Sequence, residues 1–303
     1  GFFNGANCAN GEYQPTVGSY DYDAPLSEAG DPNAKYQAYR EVIAEYVPGL
    51  LNIPVPAAST KKAYGKVNLT KSVPLFGNLA SIGKMYSITH TATMEEFGQN
   101  FGFILYSKKL AGPVADATLT LQHPRDRAVV FIDGKEAAVI YRNDKKHSLE
   151  LQIPPEGVQV DVLVENMGRV NYGDNIGDAR KGIVDGIRIK GQFQFGWDIC
   201  SLPLDDLSGL KFTETSECSG PGFFKAVFSV DEPCDTFLKV PGGKKGVCWI
   251  NGFNLGRYWE VGPQKTMYVP AQLLKKGDNE IIVFEQHALA EATVEFLAEP
   301  ELG

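Results

Sequence analysis

The sequence predicts a mainly β protein that contains two β-sandwiches of the jelly-roll type. From Tyr64 onward, short runs of β-branched and aromatic residues alternate with turn residues, as expected for the strands of sandwiches. The 303 residues include 32 Gly and 18 Pro, which favour many turns, and 17 Phe, 13 Tyr and 3 Trp, which favour strands. At roughly 100–200 residues per domain, the length indicates two domains or three pieces.

The candidate strands form two groups that are separated near Trp197. They lie at residues 103–106, 117–121, 128–132, 149–153 and 158–164 in the first group, and at residues 223–230, 236–240, 247–250, 266–269 and 280–285 in the second group. Gly, Pro, Asp and Asn separate the runs within each group, which is typical of an antiparallel sandwich. The only helix candidate between these strands is short, around residues 271–274.

An internal repeat relates the two groups. Residues 129–134 match residues 246–252 at an offset of 118, and both segments end an apolar run with a tight-turn dipeptide, Asp-Gly or Asn-Gly. Residues 160–166 match residues 280–286 at an offset of 120, and Gly102-Phe103 matches Gly222-Phe223 at the same offset. Two β domains with similar hairpins would give such matches, but three in order favour a duplicated jelly roll.

The N-terminal region differs from the rest of the chain. Residues 1–30 have the composition of one long irregular loop, and apolar residues then recur at helical spacing between Pro32 and Tyr46, with Asp31 as the expected N-cap. A Pro-rich connector continues to Thr60. The predicted organisation is therefore an N-terminal segment of loop, helix and connector at 1–60, a first sandwich at 61–196 and a second sandwich at 197–303.

Composition and motifs exclude several functions. The net charge of −8 and the pI near 5.2 argue against nucleic-acid binding, and no apolar run reaches the roughly 20 residues of a membrane span. The four histidines and five cysteines lack metal-site spacing, so no metal site is predicted. Cys218 and Cys234 either form a disulfide or remain free. Asp174, Asn175 and Asp178 lack calcium-site spacing, and a solvated turn is predicted there.

Polar groups with an affinity for sugars are most concentrated near the N-terminus. Tyr20, Asp21, Tyr22 and Asp23 provide two phenols and two carboxylates within four residues. These groups suit hydrogen bonding to sugar hydroxyls, and the tyrosine rings suit stacking on a sugar. The same residues also suit a capping loop in which the aspartates hold turns and the tyrosines pack.

Three long motifs resemble one known family. The motifs are residues 4–7 together with 19–30, residues 163–173, and residues 249–259, and in that order they are similar to segments of the family 35 glycoside hydrolases, the β-galactosidases. The resemblance implies that a (β/α)8 barrel carries the active site and that jelly-roll domains with a galactose-binding-like fold follow it. It places Gly1 just after the last barrel strand, residues 1–30 in the last βα loop, and the helix from Pro32 as the last barrel helix.

The resemblance also assigns roles to residues. It implies that Tyr22 contacts galactose, with Tyr20, Asp21 and Asp23 in support. The family retains anomeric configuration by means of two glutamates whose carboxyl groups lie about 5 Å apart. The resemblance places both glutamates upstream of Gly1, so no catalytic residue is expected in this chain.

Several other residues are of a type that could act in catalysis or binding. Glu28 belongs to the loop motif, where the family has neither catalyst, and Glu165 and Glu285 end equivalent strands, which indicates a structural position. We expect Arg169 and Arg257 to bridge domain contacts. The aromatic pair of residues 258–259 suits either a sugar platform or, more commonly, a buried interface.

The function expected from this resemblance is that of the C-terminal part of an exo-β-galactosidase, inactive without its barrel. It would act on a galactose-containing oligosaccharide or glycan without a cofactor, in an exported location; a homo-oligomer is left open. The alternative function is a non-catalytic carbohydrate-binding or scaffolding module, because jelly-roll folds host many functions. The barrel-type loop at residues 1–30 favours the enzyme, since a free-standing module would not need it.

Overall fold

The computed structural model describes residues 4–7, 14–17, 24–170 and 173–303, and this part of the chain is mainly β, as predicted. It contains the helix α1 (Ala34–Ala44) and single-turn 3₁₀ segments at Leu50–Asn52, Leu79–Ser81, Met94–Phe97, Asp174–Gly177 and Ala271–Leu273. In chain order its strands are β1 (Asn4–Asn7), β2 (Gln14–Val17), β3 (Gly65–Asn68), β4 (Lys71–Pro74), β5 (Lys84–Ile88), β6 (Phe103–Leu110), β7 (Val114–Arg125), β8 (Arg127–Ile132), β9 (Lys135–Tyr141), β10 (Ser148–Ile153), β11 (Val158–Glu165), β12 (Gly182–Ile189), β13 (Gln192–Phe193), β14 (Trp197–Leu202), β15 (Gly222–Val230), β16 (Thr236–Lys239), β17 (Lys245–Ile250), β18 (Phe253–Trp259), β19 (Met267–Val269), β20 (Gly277–Glu285) and β21 (Thr293–Leu297).

These strands form two sandwiches of antiparallel sheets. The first sandwich consists of an outer sheet in the order β10-β7-β12-β13 and an inner sheet in the order β5-β14-β6-β11-β8-β9. The second consists of an inner sheet in the order β18-β17-β20-β15-β4 and an outer sheet in the order β19-β16-β21-β3. β1 and β2 pair with each other, so part of the N-terminal stretch predicted to be irregular is a strand pair.

Three hydrophobic layers hold the four large sheets together. One layer lies inside the first sandwich, around Tyr106 and Trp197, and another lies inside the second, around Phe228 and Phe296. The middle layer combines residues of both inner sheets, with Phe103 of β6 packed edge-on against Phe284 of β20 at 5.2 Å between ring centroids. The inner sheets therefore pack on each other, and the sandwiches share a core.

This arrangement explains why the inner strands are apolar at nearly every position. Along β8, Ala128 and Val130 point into the first sandwich, whereas Val129 and Phe131 point into the middle layer. β17 is likewise buried at all six positions. A strand that is covered on both faces loses the polar alternation of a half-exposed strand.

The strand order confirms the predicted duplication. The order β6-β11-β8-β9 in the first inner sheet is matched by β15-β20-β17-β18 in the second, and the strands follow one another in the same chain order in both. The tight turns Asp133-Gly134 and Asn251-Gly252 both have two successive positive φ angles, as two-residue hairpins require. An irregularity in register even occurs at equivalent points, after Val130 and after Cys248.

The sheets divide the chain differently from the predicted boundaries. β3 and β4 lie within the predicted first sandwich, yet they pair with β21 and β15 of the second. β14 follows the predicted boundary at residue 197, yet it pairs with β5 and β6 of the first sandwich. The boundary predicted between residues 196 and 197 does not separate the two sandwiches, because β3, β4 and β14 pair with strands that are distant in sequence.

The helix begins later than the sequence indicated. Asn33, not Asp31, is the N-cap of α1, and its side chain accepts a hydrogen bond from the Tyr36 amide at 3.2 Å. Asp31 instead accepts a hydrogen bond from the Ser59 amide at 2.7 Å and pairs with the Lys61 ammonium group. The side chain of Asp31 therefore binds the connector and does not cap the helix. Helix patterning in the sequence does not reveal such a contact.

Candidate functional site

The four residues predicted to contact sugar, Tyr20, Asp21, Tyr22 and Asp23, lie outside the described residues, so their role stays a prediction. The described segment that follows them is attached to the second sandwich. Glu28 accepts a hydrogen bond from Gln264 at 2.6 Å, and Asp31 binds Lys61 next to the bridge between Lys61 and Asp235. The end of the predicted loop thus has a fixed place against the β domains.

Glu165 lies at the centre of a buried polar cluster between the two sandwiches. Its carboxylate accepts a hydrogen bond from Gln286 at 2.7 Å and lies 3.3 Å from both the Lys245 and the Arg257 side chains. Burial opposes the charge of Glu165, but the surrounding cations, led by Lys245, keep its pKa below the ordinary value. Glu165 therefore serves as the counter-ion of the interface, in agreement with the structural role expected for it.

Lys245 is the cation that most needs this counter-ion, because its side chain is fully buried. Burial lowers the pKa of Lys245 to about 8, against the attraction of Glu165. The ammonium group also lies 4.2 Å from the centroid of the Trp259 ring, at cation–π distance. Trp259 and its neighbour Tyr258 are each 5% exposed, so they do not form a sugar platform. Trp259 stacks on Tyr141 of the first sandwich, whereas Tyr258 lies in the core of the second.

Arg127 occupies the position of the repeat that corresponds to Lys245. It donates to Gln286 at 2.7 Å and contacts the Nε2 atom of His287 at 2.7 Å. Because Arg only donates, His287 Nε2 accepts, and the Nδ1–H group then donates to Glu136 at 2.6 Å. Burial lowers the pKa of His287, which agrees with this neutral tautomer. The chain thus ties the sandwiches together through polar side chains that motif searching did not single out.

A signal for this cluster was present in the repeat. Arg127 and Lys245 are 118 residues apart, the offset of the matching apolar runs, and each is the first residue of its strand. In both repeats a cation begins one strand and an acid ends the strand paired with it. A charge pattern that recurs in both copies indicates a structural role in the repeated unit, not an incidental charge on the surface. The partners across the interface could not be predicted, because they belong to the other repeat.

Glu285 has a different environment from Glu165. It is fully buried and accepts hydrogen bonds from the amides of Lys244, Lys245 and His287 and from the Tyr258 hydroxyl, at distances between 2.8 and 3.3 Å. Burial raises the pKa of Glu285 to about 7, although these donors favour its charged form. A buried carboxyl group closed off by backbone donors stabilises a turn and has no access to substrate.

The two arginines expected to bridge domains behave differently. Arg257 of the second sandwich donates to the Asn166 carbonyl of the first at 2.6 Å, which confirms the expectation for this residue. Arg169 differs from this expectation: among the described residues its partners are Glu95 and the carbonyls of residues 99, 100 and 179, which belong to the first sandwich. Arg169 organises the loop before β6, a contact that turn patterning does not reveal.

In the described part of the chain, no three His, Cys, Asp or Glu side chains form a group that could hold a metal ion. The Asp178 carboxylate instead binds Arg180 and Arg125, which hold its pKa below the ordinary value. Cys218 and Cys234 are free, as are Cys200 and Cys248. None of the described helices is long and apolar enough to cross a membrane.

Comparisons with known proteins match three segments of the chain in order. Residues 1–46 match the model of the glycosyl hydrolases family 35, residues 91–204 match the first all-beta domain of beta-galactosidase, and residues 221–279 match its galactose-binding domain. The second of these segments ends at residue 204 and so includes β14, as the sheet pairing does.

Curated relatives agree with these matches. The chain is 37% identical over 272 residues to a beta-galactosidase of Xanthomonas manihotis, covering 89% of this chain and 45% of the relative. It is 38% identical over 316 residues to the beta-galactosidase of Mus musculus, covering 94% of this chain and 47% of the relative. It is 39% identical over 317 residues to that of Macaca fascicularis, covering 94% and 45%.

Fold and comparisons together define a tandem of β-sandwich domains of the kind that glycoside hydrolases carry. The order of the matched segments and the curated relatives identify the family of glycoside hydrolases to which these domains belong. The chain belongs to glycosyl hydrolase family 35. It spans about half the length of the curated relatives it matches.

Proposed function

We propose that this chain is part of a retaining exo-β-galactosidase that hydrolyses terminal β-linked galactose from glycans or oligosaccharides. The observation that carries the proposal is the order of the matched segments: a family 35 segment at residues 1–46 comes before two β-galactosidase β domains. A free-standing carbohydrate-binding module would have no use for the first segment. The family membership also underlies our proposal that the protein is exported and needs no cofactor.

The catalytic acid and the nucleophile, in this proposal, are two glutamates of a barrel outside these 303 residues. Support comes from the glutamates inside the chain. Glu165 and Glu285 are at most 1% exposed and are held by cations or backbone donors, and Glu28 is bound to Gln264. A retaining pair needs two carboxyl groups about 5 Å apart on either side of a bound sugar. The 303 residues alone should therefore not hydrolyse galactosides.

The barrel is also the proposed partner of α1. No residue of this helix is buried, and Tyr39, Val42 and Ile43 are each at least 50% exposed. Tyr46, just beyond the helix, is 79% exposed. An apolar helix face of this kind normally packs against another element. The last helix of a (β/α)8 barrel would pack on its strands in this way.

Sugar recognition is proposed for Tyr22, with Tyr20, Asp21 and Asp23 in support. These residues belong to a segment that resembles the last βα loop of the barrel, and such loops form the active site at the C-terminal ends of barrel strands. The loop ends close to Glu28 and Asp31, whose bonds to Gln264 and Lys61 fasten it to the second sandwich. The β domains would thus hold one wall of the sugar site in place.

The test uses the longer protein that contains this sequence together with its barrel. Tyr22→Phe removes a hydroxyl group and keeps the ring, so the fold should remain while kcat/KM for an aryl β-galactoside falls by about a hundredfold. Tyr172→Phe, in the β-domain motif, is the matched control and should leave kcat/KM nearly unchanged.

Two results would contradict the proposal. Wild-type kinetics in Tyr22→Phe, combined with loss of turnover in a folded Tyr172→Phe, would move the sugar site from the N-terminal loop to the β domains. Failure of the barrel-containing protein to release galactose from any β-galactoside would favour the non-catalytic alternative.

A further inference from the structure

Phe101 is an exposed aromatic side chain at the border of the two sandwiches. Phe101 is 46% exposed, although the buried strand β6 begins only two residues later, at Phe103. Two concave surfaces meet at this ring. One has a volume of about 490 Å³ and lies on the first sandwich, and the other has a volume of about 240 Å³ and extends to the second.

Buried hydrogen bonds fix the loop that carries this ring. The Gln99 side chain is 5% exposed and donates to the carbonyls of Phe101 and Phe103, both at 2.7 Å. It also accepts a hydrogen bond from the Ser201 hydroxyl at 2.8 Å. Gly102 follows at φ +85, where a Cβ atom would lie 2.4 Å from the Leu202 carbonyl oxygen. The backbone on both sides of Phe101 is thus held in one position.

The motif at residues 163–173 contributes to the same loop. Asn166 donates from its side chain to the Asn100 carbonyl at 2.9 Å, and Arg169 donates to the same carbonyl at 2.9 Å. The motif at residues 249–259 contributes through Arg257, which donates to the Asn166 carbonyl at 2.6 Å. Residues of both β-domain motifs therefore hold in place a loop whose aromatic side chain remains in solvent. Packing of the core does not require that exposure.

The larger concavity combines aromatic and polar groups. Tyr86 and Phe97 stack in its wall with 4.1 Å between ring centroids, and Lys84 lies beside Tyr86. Asp205 and Asp206 line the same concavity and are exposed. Polar and apolar groups line this concavity in similar proportion, and its volume lies within the range of sites for small organic ligands.

The smaller concavity continues the groove beyond Phe101 and Pro203, which line both. Its other walls include Trp249, Asn254 and Arg257 of the second sandwich. The groove is therefore longer than a single monosaccharide site, and hydrogen-bonding groups occur on each side of the central ring. Along the groove, polar groups therefore lie on both sides of an aromatic face. This arrangement suits an oligosaccharide, because its sugar rings present C–H faces to aromatic rings and hydroxyl groups to carboxylates and amides.

We propose that the groove across Phe101 binds an oligosaccharide chain, with one sugar ring stacked on Phe101 and hydroxyl groups bound by Asp205 and Asp206. The inference rests on the proposed function in one respect: the oligosaccharide is the galactose-containing chain on which the enzyme acts. The groove would hold an inner part of a long substrate, apart from the terminal galactose. One lysine beside two aspartates gives the larger concavity no excess of positive charge, which disfavours a polyanion.

The experiment titrates the 303-residue chain with β-1,4-linked galactotetraose in a calorimeter. We expect binding that Phe101→Ala weakens at least tenfold and that Phe101→Leu, which keeps apolar contact but loses the flat ring, also weakens. Asp205→Asn combined with Asp206→Asn should weaken it by a similar factor. Phe195→Ala is the matched control, because Phe195 is also an exposed phenylalanine, at 59%, but lies outside the groove, and it should leave binding unchanged.

Absence of binding at millimolar galactotetraose would overturn the proposal, and so would equal binding by wild type and a folded Phe101→Ala variant. Equal thermal unfolding of wild type and variants verifies folding. The proposed function is judged separately, by the activity of the unsubstituted barrel-containing protein on a small aryl galactoside. If the unsubstituted protein has no aryl-galactoside activity, the proposed enzymatic function is refuted. If only galactotetraose binding is absent, the proposed binding groove alone is refuted.

Discussion

Replacing Glu165 with Gln tests the buried polar cluster between the sandwiches. The substitution keeps the size of the side chain but removes the only carboxylate within 4 Å of the Lys245 ammonium group among the described residues. Lys245 is fully buried, and its pKa of about 8 already reflects the cost of burial. Without Glu165, the favourable neighbours of this charge among the described residues would be reduced to the Trp259 ring and the uncharged oxygen of the introduced amide.

The expected effect is large for one substitution. Removing one partner of a buried ion pair costs about 3–5 kcal/mol, because the other charge is left desolvated and unpaired. The sandwiches share a core, so we expect them to unfold together. At about 2.1 cal/mol/K of unfolding entropy per residue, 303 residues give roughly 0.6 kcal/mol/K, and Tm should fall by about 5–8 °C.

The assay is thermal unfolding at pH 7 followed by circular dichroism. Glu291→Gln is the matched control, because Glu291 is exposed: it pairs with Lys66 at 3.8 Å and accepts a hydrogen bond from the Thr293 hydroxyl at 3.0 Å. Exposed ion pairs contribute at most about 1 kcal/mol. Adding Lys245→Met to Glu165→Gln should recover at least half of the lost stability, since methionine needs no counter-ion and packs well on an aromatic ring.

Two outcomes would refute this reasoning. If Glu165→Gln lowers Tm no more than Glu291→Gln does, the carboxylate is not the required counter-ion of Lys245. If the double variant is as unstable as Glu165→Gln alone, the instability does not come from an unpaired lysine.

Two further predictions concern local stability and pH. Helix α1 has no buried residue, so in the 303-residue chain its amides should exchange with solvent much faster than those of β11, as measured by hydrogen exchange; equal protection would mean that another part of the chain covers the helix. Glu285 keeps its proton up to a pKa of about 7 when folded but only to about 4.5 when unfolded, so its contribution to stability falls as pH rises between these values. The free energy of urea unfolding of wild type minus that of Glu285→Gln should thus be about 2 kcal/mol greater at pH 5.5 than at pH 7.5, and an unchanged difference would contradict the raised pKa.

Local features of the fold could be predicted from the sequence because their causes are local. Asp133-Gly134 and Asn251-Gly252 mark hairpin turns, since these residue types tolerate the positive φ angles that such turns need. The repeat at offsets of 118 and 120 similarly indicated two related sandwiches before any contact was known. The structural role of Glu165 and Glu285 followed from that repeat alone.

The candidate site was less accessible to sequence analysis. Tyr22 and its neighbours came from a resemblance, and their role remains a prediction. Phe101 was not recognised, because one phenylalanine before a strand carries no signal of exposure. Its exposure follows from the hydrogen bonds that Gln99, Asn166 and Arg169 make to the loop around it.

By itself, the sequence determined the β character of the chain, its turns, its duplication and its family. The tertiary structure decided which strands share a sandwich: β3 and β4 pair with the second, and β14 pairs with the first. It also decided that both faces of the inner sheets are buried and that Lys245 finds its counter-ion on the other repeat. Turns and strand propensity depend on neighbouring residues, whereas sheet partners and buried ion pairs depend on residues that are 40 to more than 200 positions away, which only the folded chain brings together.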